Sequence, residues 1–550
     1  MNGLLPLLIF LPLGAAVLLA ALRTPGGGVA RWGALLASLA TLVLSLVTAS
    51  NYAALPPAPV GGSPVQPRLE FRQTWLTFGE ARLEFFVGVD GISLLLVVLT
   101  ALLTVAAVLI SWDSIRERSA EFYALVLALE TGLIGAFCAF DLMLFYIFFE
   151  FTLIPLFFLI GIWGGPDRRN AARRFFIYTL VASLVTLVGL VALVVNAAGR
   201  YGLATPFSLP DLAAALAADP LPYPVQVGLF LAIAFGFAVK TPLVPFHTWQ
   251  PLAYVEASTG GTVLLAGAVM KLGAYGILRL CISLLPDATR HIGVPLIAGL
   301  AVAGIIYGAV CALAQRDMKR LVAYSSISHI GFCLLGLFAL NVEGLSGGVL
   351  QMINHGLSTG ALFLLVGMIY DRYHTRLLTR LGGLASRLPL LAVCMVFICL
   401  ASMGLPGLNG FVGEFLSLAG MFARHPAFAV AGAIGVILGA WYLLAMLQRG
   451  FFGPLREPER PGITIRDLQV REAVAVVPLM ALCLWIGIHP QPLLDLIEPD
   501  VQRIARLYDD AGNAQPTTAL DPARSLRPYV GILANQASEN ERRESQMTAD

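Results

Sequence analysis

Residues 258–282 read STGGTVLLAGAVMKLGAYGILRLCI, an apolar run that carries Lys271 near its centre. About 20 helical residues cross a ~30 Å hydrocarbon core, so this stretch is long enough to span a bilayer. Runs of the same kind lie at approximately 3–22, 31–49, 91–112, 122–140, 141–164, 175–197, 225–247, 258–282, 292–314, 321–341, 345–370, 389–422, 427–448 and 473–493. The spacing predicts an all-α polytopic membrane protein with about 14 transmembrane helices.

Composition agrees. The chain is 58% hydrophobic and 12% charged, against roughly 25% charged in an average soluble domain. A soluble enzyme, a nucleic-acid binder and a disordered scaffold are excluded, and a net charge of +2 argues for no acidic partner. The seven cysteines sit in or beside apolar runs without a CxxC, which reads as small hydrophobes and not metal ligands. The amino-terminal run lacks a basic leader, so it reads as a retained helix and not a cleaved signal.

Between helices 2 and 3, residues 51–89 form the one sizeable insert. Its RLEFRQTWL (68–76) and ARLEFFV (81–87) alternate with period two and predict a hairpin. From 509 to 550 the chain is polar and predicts a tail without a core. Residues 451–508 hold a loop and the last helix.

Basic residues set orientation. Loops after odd-numbered helices hold 20 Arg and Lys, including RRNAARR at 168–174, and loops after even-numbered helices hold 6. The positive-inside rule places the odd loops in the cytoplasm and both termini outside.

The buried ionisable residues carry the chemistry. Glu150, Lys240, Lys271 and Glu414 lie within spans, with His329 and His355 about eight residues into theirs. His247 and Asp141 are secondary candidates. A charge at mid-membrane costs roughly 2.5–3.5 kcal/mol on insertion scales. Four such charges therefore cost on the order of 10 kcal/mol before partners offset them. Static ion pairs could hold helices in register, but such pairs gain little over apolar packing. Of 35 basic residues only three are Lys, and Lys240 and Lys271 are both intramembrane. Guanidinium stays protonated in any protein setting, whereas a desolvated lysine can release its proton. Histidine adds two ring nitrogens that exchange protons near neutral pH. The pattern favours a proton path over a register device.

Two spans carry breaks. KTPLVPFH (240–247) in helix 7 has two prolines, and GLPGLNGF (404–411) in helix 12 has one proline and three glycines. Paired breaks in two halves point to a repeated transporter fold. Helices 4–8 and 9–13 each hold one break. Five helices per unit makes the repeats inverted, within 122–285 and 286–450, after an amino-terminal unit at 1–121.

QPLAYVEASTGGTVLLAGAVMKLGAYGILR (250–279), RDMKRLVAYSSISHIGF (316–332) and GLPGLNGFVGEF (404–415) resemble the antiporter-like membrane subunits of respiratory complex I. They also resemble the large subunits of multi-subunit Na⁺/H⁺ antiporters. The likeness covers nearly all of residues 85–450, and Glu414, where related branches carry Lys, places it nearest the M-type branch. The resemblance implies a regulatory Glu150–Lys240 ion pair, Lys271 as central relay base, His329 and His355 along a hydrophilic axis, and Glu414 on the exit side. It implies proton translocation coupled to quinone reduction elsewhere, with cation/proton antiport as the alternative. It implies no redox centre, NADH site, cofactor or metal in this chain. NADH, FMN, iron–sulfur clusters and quinone would belong to partner subunits. Those partners would be other complex I membrane subunits, sibling antiporter-like chains among them, in a lipid bilayer. The implied location is a bacterial inner membrane, or a thylakoid membrane for a cyanobacterial-type complex.

Overall fold

The computed structural model of the protein describes residues 3–22, 27–56, 61–78, 81–458 and 465–509. The polar tail, from residue 510 onward, lies outside them. Thirteen helices among the described residues are long and apolar enough to cross a membrane. A fourteenth crossing is made of two pieces, Pro389–Ser402 and Asn409–Arg424. The chain is an all-α polytopic membrane protein.

The crossings are α1 (Leu4–Leu22), α2 (Gly28–Ala53), α3 (Gly91–Ile110), α4 (Ser119–Cys138) and α5 (Leu142–Trp163). Then come α6 (Arg168–Tyr201), α7 (Tyr223–Lys240 and Trp249–Glu256), α8 (Thr259–Ile282), α9 (Pro286–Leu313) and α10 (Met318–Leu337). α11 (Val342–Tyr373), the two-piece α12, α13 (Pro426–Phe451) and α14 (Val470–Ile488) complete the set. The RRNAARR segment is not a loop. It forms the first two turns of α6, because nothing before Gly202 interrupts the helix and Gly202 closes it in the left-handed region at φ 59°. α9 and α11 likewise start earlier than hydropathy alone suggests, at Pro286 and Val342.

α8 and the central stretch of α11 are buried and form the centre. Peripheral helices show apolar side chains outward, as lipid contact requires: Val188 and Ile437 are 68% and 71% exposed. Small residues let the central helices approach. A Cβ on Gly273 of α8 would lie 2.1 Å from Thr241 Oγ1, so only glycine allows α8 against the end of the first half of α7.

The hairpin forms as expected, with Leu69–Phe78 antiparallel to Ala81–Val89. Loops after even-numbered helices meet on its side: Phe140 N–H donates to Phe86 O at 2.9 Å, and Leu209 N–H to Phe140 O at 2.8 Å. After α14 a helix Gln491–Ala505 folds back on this face, where Asp500 accepts from Gly91 N–H at 2.7 Å and pairs with Arg503. A buried Arg279–Asp90 pair lies at the end of α8 beside it.

Candidate functional site

Both predicted breaks are present and both place backbone beside buried polar groups. The first half of α7 ends at Lys240, where Pro242 and Pro245 deprive the next turn of donors, and the chain resumes helix at Trp249. α12 stops at Ser402 and restarts at Asn409, turning through Gly404 (φ 76°) and Gly407 (φ 90°). These left-handed values suit glycine. A Cβ on Gly404 would sit 3.1 Å from Glu414 Oε2, so the break also makes room for that carboxylate.

α8 departs from regular geometry at Leu265–Val269, a π-type turn just before Lys271. Such turns free carbonyls from the α ladder and occur often at functional sites. Lys271 Nζ donates to Ala266 O at 2.5 Å and meets His355 Nδ1 at 2.8 Å. With Lys271 charged, Nδ1 accepts and the imidazole proton resides on Nε2; with Lys271 neutral, Nδ1–H can donate back. His355 Nε2 is buried with no protein partner. The His355 ring centroid lies 6.0 Å from that of His329.

His329 is held from both sides. Its Nδ1 is 2.8 Å from Glu414 Oε1 and its Nε2 is 2.9 Å from Tyr442 Oη. Gln351 Nε2 donates to the same Glu414 oxygen at 3.1 Å. Lys271, His355, His329 and Glu414 therefore form one buried row that joins α8, α11, α10 and α12.

Lys240 and Glu150 form a second group. Lys240 Nζ donates to Thr152 Oγ1 at 3.2 Å and stands 4.5 Å above the Phe149 ring. Glu150 is half-buried, flanked by Tyr146 and Ser183, and its Oε1 has no partner. The expected ion pair is thus not a direct contact; Lys240 instead meets Thr152 and Phe149, two and one positions from Glu150 on the same helix.

The secondary candidates stand apart. His247 lies in the turn Phe246–Thr248 with its ring against Tyr307, centroids 5.0 Å apart. Asp141 caps α5, accepting from Met143 N–H at 2.9 Å and Leu144 N–H at 3.0 Å. Its Oδ1 is committed to those donors.

Several residues of the site carry little or no signal in the sequence. Thr152, Gln351 and Tyr442 are ordinary in type and give no signal without neighbours. Glu130 had a signal, a carboxylate inside YALVLALETGLIGAFC (123–138). It is fully buried on α4 opposite Thr104, with neither oxygen hydrogen-bonded.

Residues 139–439 match the family model described as "NADH:quinone oxidoreductase/Mrp antiporter, TM". The chain is 40% identical over 536 residues to NADH-quinone oxidoreductase subunit M of Rhodobacter capsulatus, covering 94% of this chain and 100% of the relative. Its fold is similar to a chain of respiratory complex I from Thermus thermophilus, with a TM-score of 0.79, 32% identity and coverage of 92% and 100%. A chain of the Mrp complex from a Dietzia species shares the fold at a TM-score of 0.77 and 23% identity, covering 92% of this chain and 97% of that one.

Proposed function

Because this chain belongs to the NADH:quinone oxidoreductase/Mrp antiporter membrane-subunit family, we propose that it is a proton-translocating membrane subunit of a NADH–quinone oxidoreductase of the complex I type. The observation that carries the mechanism is the row Lys271–His355–His329–Glu414, two hydrogen-bonded pairs whose imidazole rings are 6.0 Å apart. Each member can gain or lose a proton, and each is buried.

The transfer is electrostatic. A charge change in a neighbouring subunit alters the Glu150–Lys240 interaction. That moves the potential at Lys271, which passes its proton to His355 Nδ1. His355 Nε2 releases one proton toward His329, and His329 Nδ1 delivers one to Glu414. Each hop returns the donor to a state that can accept again. The two inverted five-helix repeats would each supply one broken helix, α7 and α12, to this axis. NADH oxidation, flavin, iron–sulfur and quinone chemistry belong, on this reading, to partner subunits, among them sibling antiporter-like chains. The Arg-rich face is cytoplasmic, with the hairpin face outside a bacterial inner membrane.

The Mrp antiporter part of the family description supplies one rival, cation/proton exchange driven by an ion gradient. Inverted membrane vesicles containing the assembled complex separate the two. The proposal expects proton uptake on NADH addition that stops with quinone-site inhibition. Na⁺-driven proton exchange without an electron donor, lost on deletion of this chain, would instead establish the antiporter reading.

A further inference from the structure

The third lysine of the chain is also buried. Lys319, at the start of α10, is 6% exposed. Its Nζ donates to Ala257 O at 2.6 Å and Val255 O at 3.3 Å, the carbonyls at the end of the second half of α7, and to no carboxylate. It lines a cavity of about 780 Å³ on the Arg-rich face, whose walls include Asp113, Trp163, Glu256, Asp371 and Glu472. The walls include the connections after α3, α5, α7, α11 and α13 and the start of α10, so five odd-numbered connections converge around one vestibule. That volume holds many waters at ~30 Å³ each.

From the floor of the cavity a polar edge leads inward along the second half of α7. Tyr254, the residue before Val255 in the chain, donates its hydroxyl to Leu265 O at 3.2 Å. Leu265 and Ala266 are consecutive in the π-type turn, and Ala266 O is the carbonyl that holds Lys271. Gln250, one turn before Tyr254, donates to Ala323 O at 3.1 Å while its Oε1, fully buried, accepts from no protein group. A buried orphan acceptor of this kind is uncommon and marks a place for a water or a transient donor.

We propose that this vestibule is the proton inlet of the chain, with Lys319 the loading group and Tyr254 the link to Lys271. The inference rests on the proton-transfer reading above. A proton from vestibule water binds the neutral amine of Lys319. Vestibule water relays a proton from Lys319 to the Tyr254 oxygen as Tyr254 releases its own, through water beside Gln250, to the Lys271 amine. One proton moves, Lys319 and Tyr254 end as they began, and Lys271 becomes an ammonium. An arginine would satisfy the two carbonyls equally well but would not release the proton. The lysine is therefore what the inlet requires.

The test uses inverted vesicles carrying the full complex and reads protons taken up per NADH oxidised. Lys319→Arg and Tyr254→Phe should each lower that ratio at least twofold while uncoupled NADH oxidation is unchanged. Ser114, an exposed residue on the cavity rim, gives an independent arm. Ser114→Cys labelled with a bulky, charged, membrane-impermeant thiosulfonate should lower the ratio by a similar factor, reversed by reductant, relative to the equally treated parent. Normal ratios in the labelled rim variant and in either assembled substitution would overturn the inlet. So would equal loss of uncoupled oxidation. If a substitution prevents assembly, the labelled Ser114→Cys arm decides alone. Lys271→Ala run in parallel separates the two claims: if it pumps normally, the relay itself fails; if it alone is impaired, only the inlet does.

Discussion

Lys271 Nζ and His355 Nδ1 lie 2.8 Å apart in the centre of the molecule, an amine and an imidazole with no carboxylate hydrogen-bonded to either. Two cationic groups in contact repel, so one proton fewer than the pair could hold is the stable load. Proton exchange between them is then a matter of the surrounding charge and not of movement.

His355→Gln keeps a group of similar reach that hydrogen-bonds but does not titrate. Loss of one acid–base partner costs about a hundredfold in many proton transfers. Proton uptake by vesicles should fall at least tenfold in the share carried by this chain, with the complex still assembled. Uptake at the parent rate would remove His355 from the path.

Lys240 keeps its place through Thr152 and the Phe149 ring, contacts that an arginine can also make. Lys240→Arg should therefore assemble normally and pump poorly, because the guanidinium holds its proton. Normal pumping by this variant would show that Lys240 acts as a fixed charge.

Glu150 has one oxygen without a partner and makes no direct ion pair, so Glu150→Gln removes charge without breaking a salt bridge. Assembly should be retained, as read on native gels, and coupled activity should drop. Loss of assembly instead would assign Glu150 to structure.

On the hairpin face, burial and the adjacent Asp90 push the Asp500 carboxyl up to about 7, against the pull of Arg503 and Arg279. Its unfolded value is about 3.9. The folded state thus binds this proton more firmly than the unfolded chain. The stabilisation is full below about pH 3.9 and is lost as pH rises through 7. The purified complex should show a higher Tm for this subunit at pH 6 than at pH 8, and Asp500→Asn should shrink the difference. Identical pH slopes in the two proteins would contradict the assignment. Removing the side chain altogether, Asp500→Ala, leaves Arg503 buried without its partner and should destabilise by about 3–5 kcal/mol.

Much of this arrangement is visible in one dimension. Spans follow from unbroken apolar runs, and the breaks in α7 and α12 follow from prolines and glycines that no helix interior carries cheaply. Lys240, Lys271 and Glu414 stand out because charge is rare there. Partners do not stand out. Thr152, Gln351 and Tyr442 are unremarkable in composition, and only packing brings them to Lys240, Glu414 and His329. Lys319 was obscured for another reason: it sits among the basic residues of a loop, where orientation accounts for charge, yet the fold buries it. The lack of direct contact between Glu150 and Lys240 is equally invisible in the sequence, since residues on neighbouring helices at similar depth need not touch.

The central claim is that the proton carried by this chain passes through Lys271. Inverted vesicles with the assembled Lys271→Ala complex, energised by NADH, test it in one measurement of protons taken up per NADH oxidised. The account predicts a clear fall in that ratio with uncoupled NADH oxidation preserved. An unchanged ratio would contradict it.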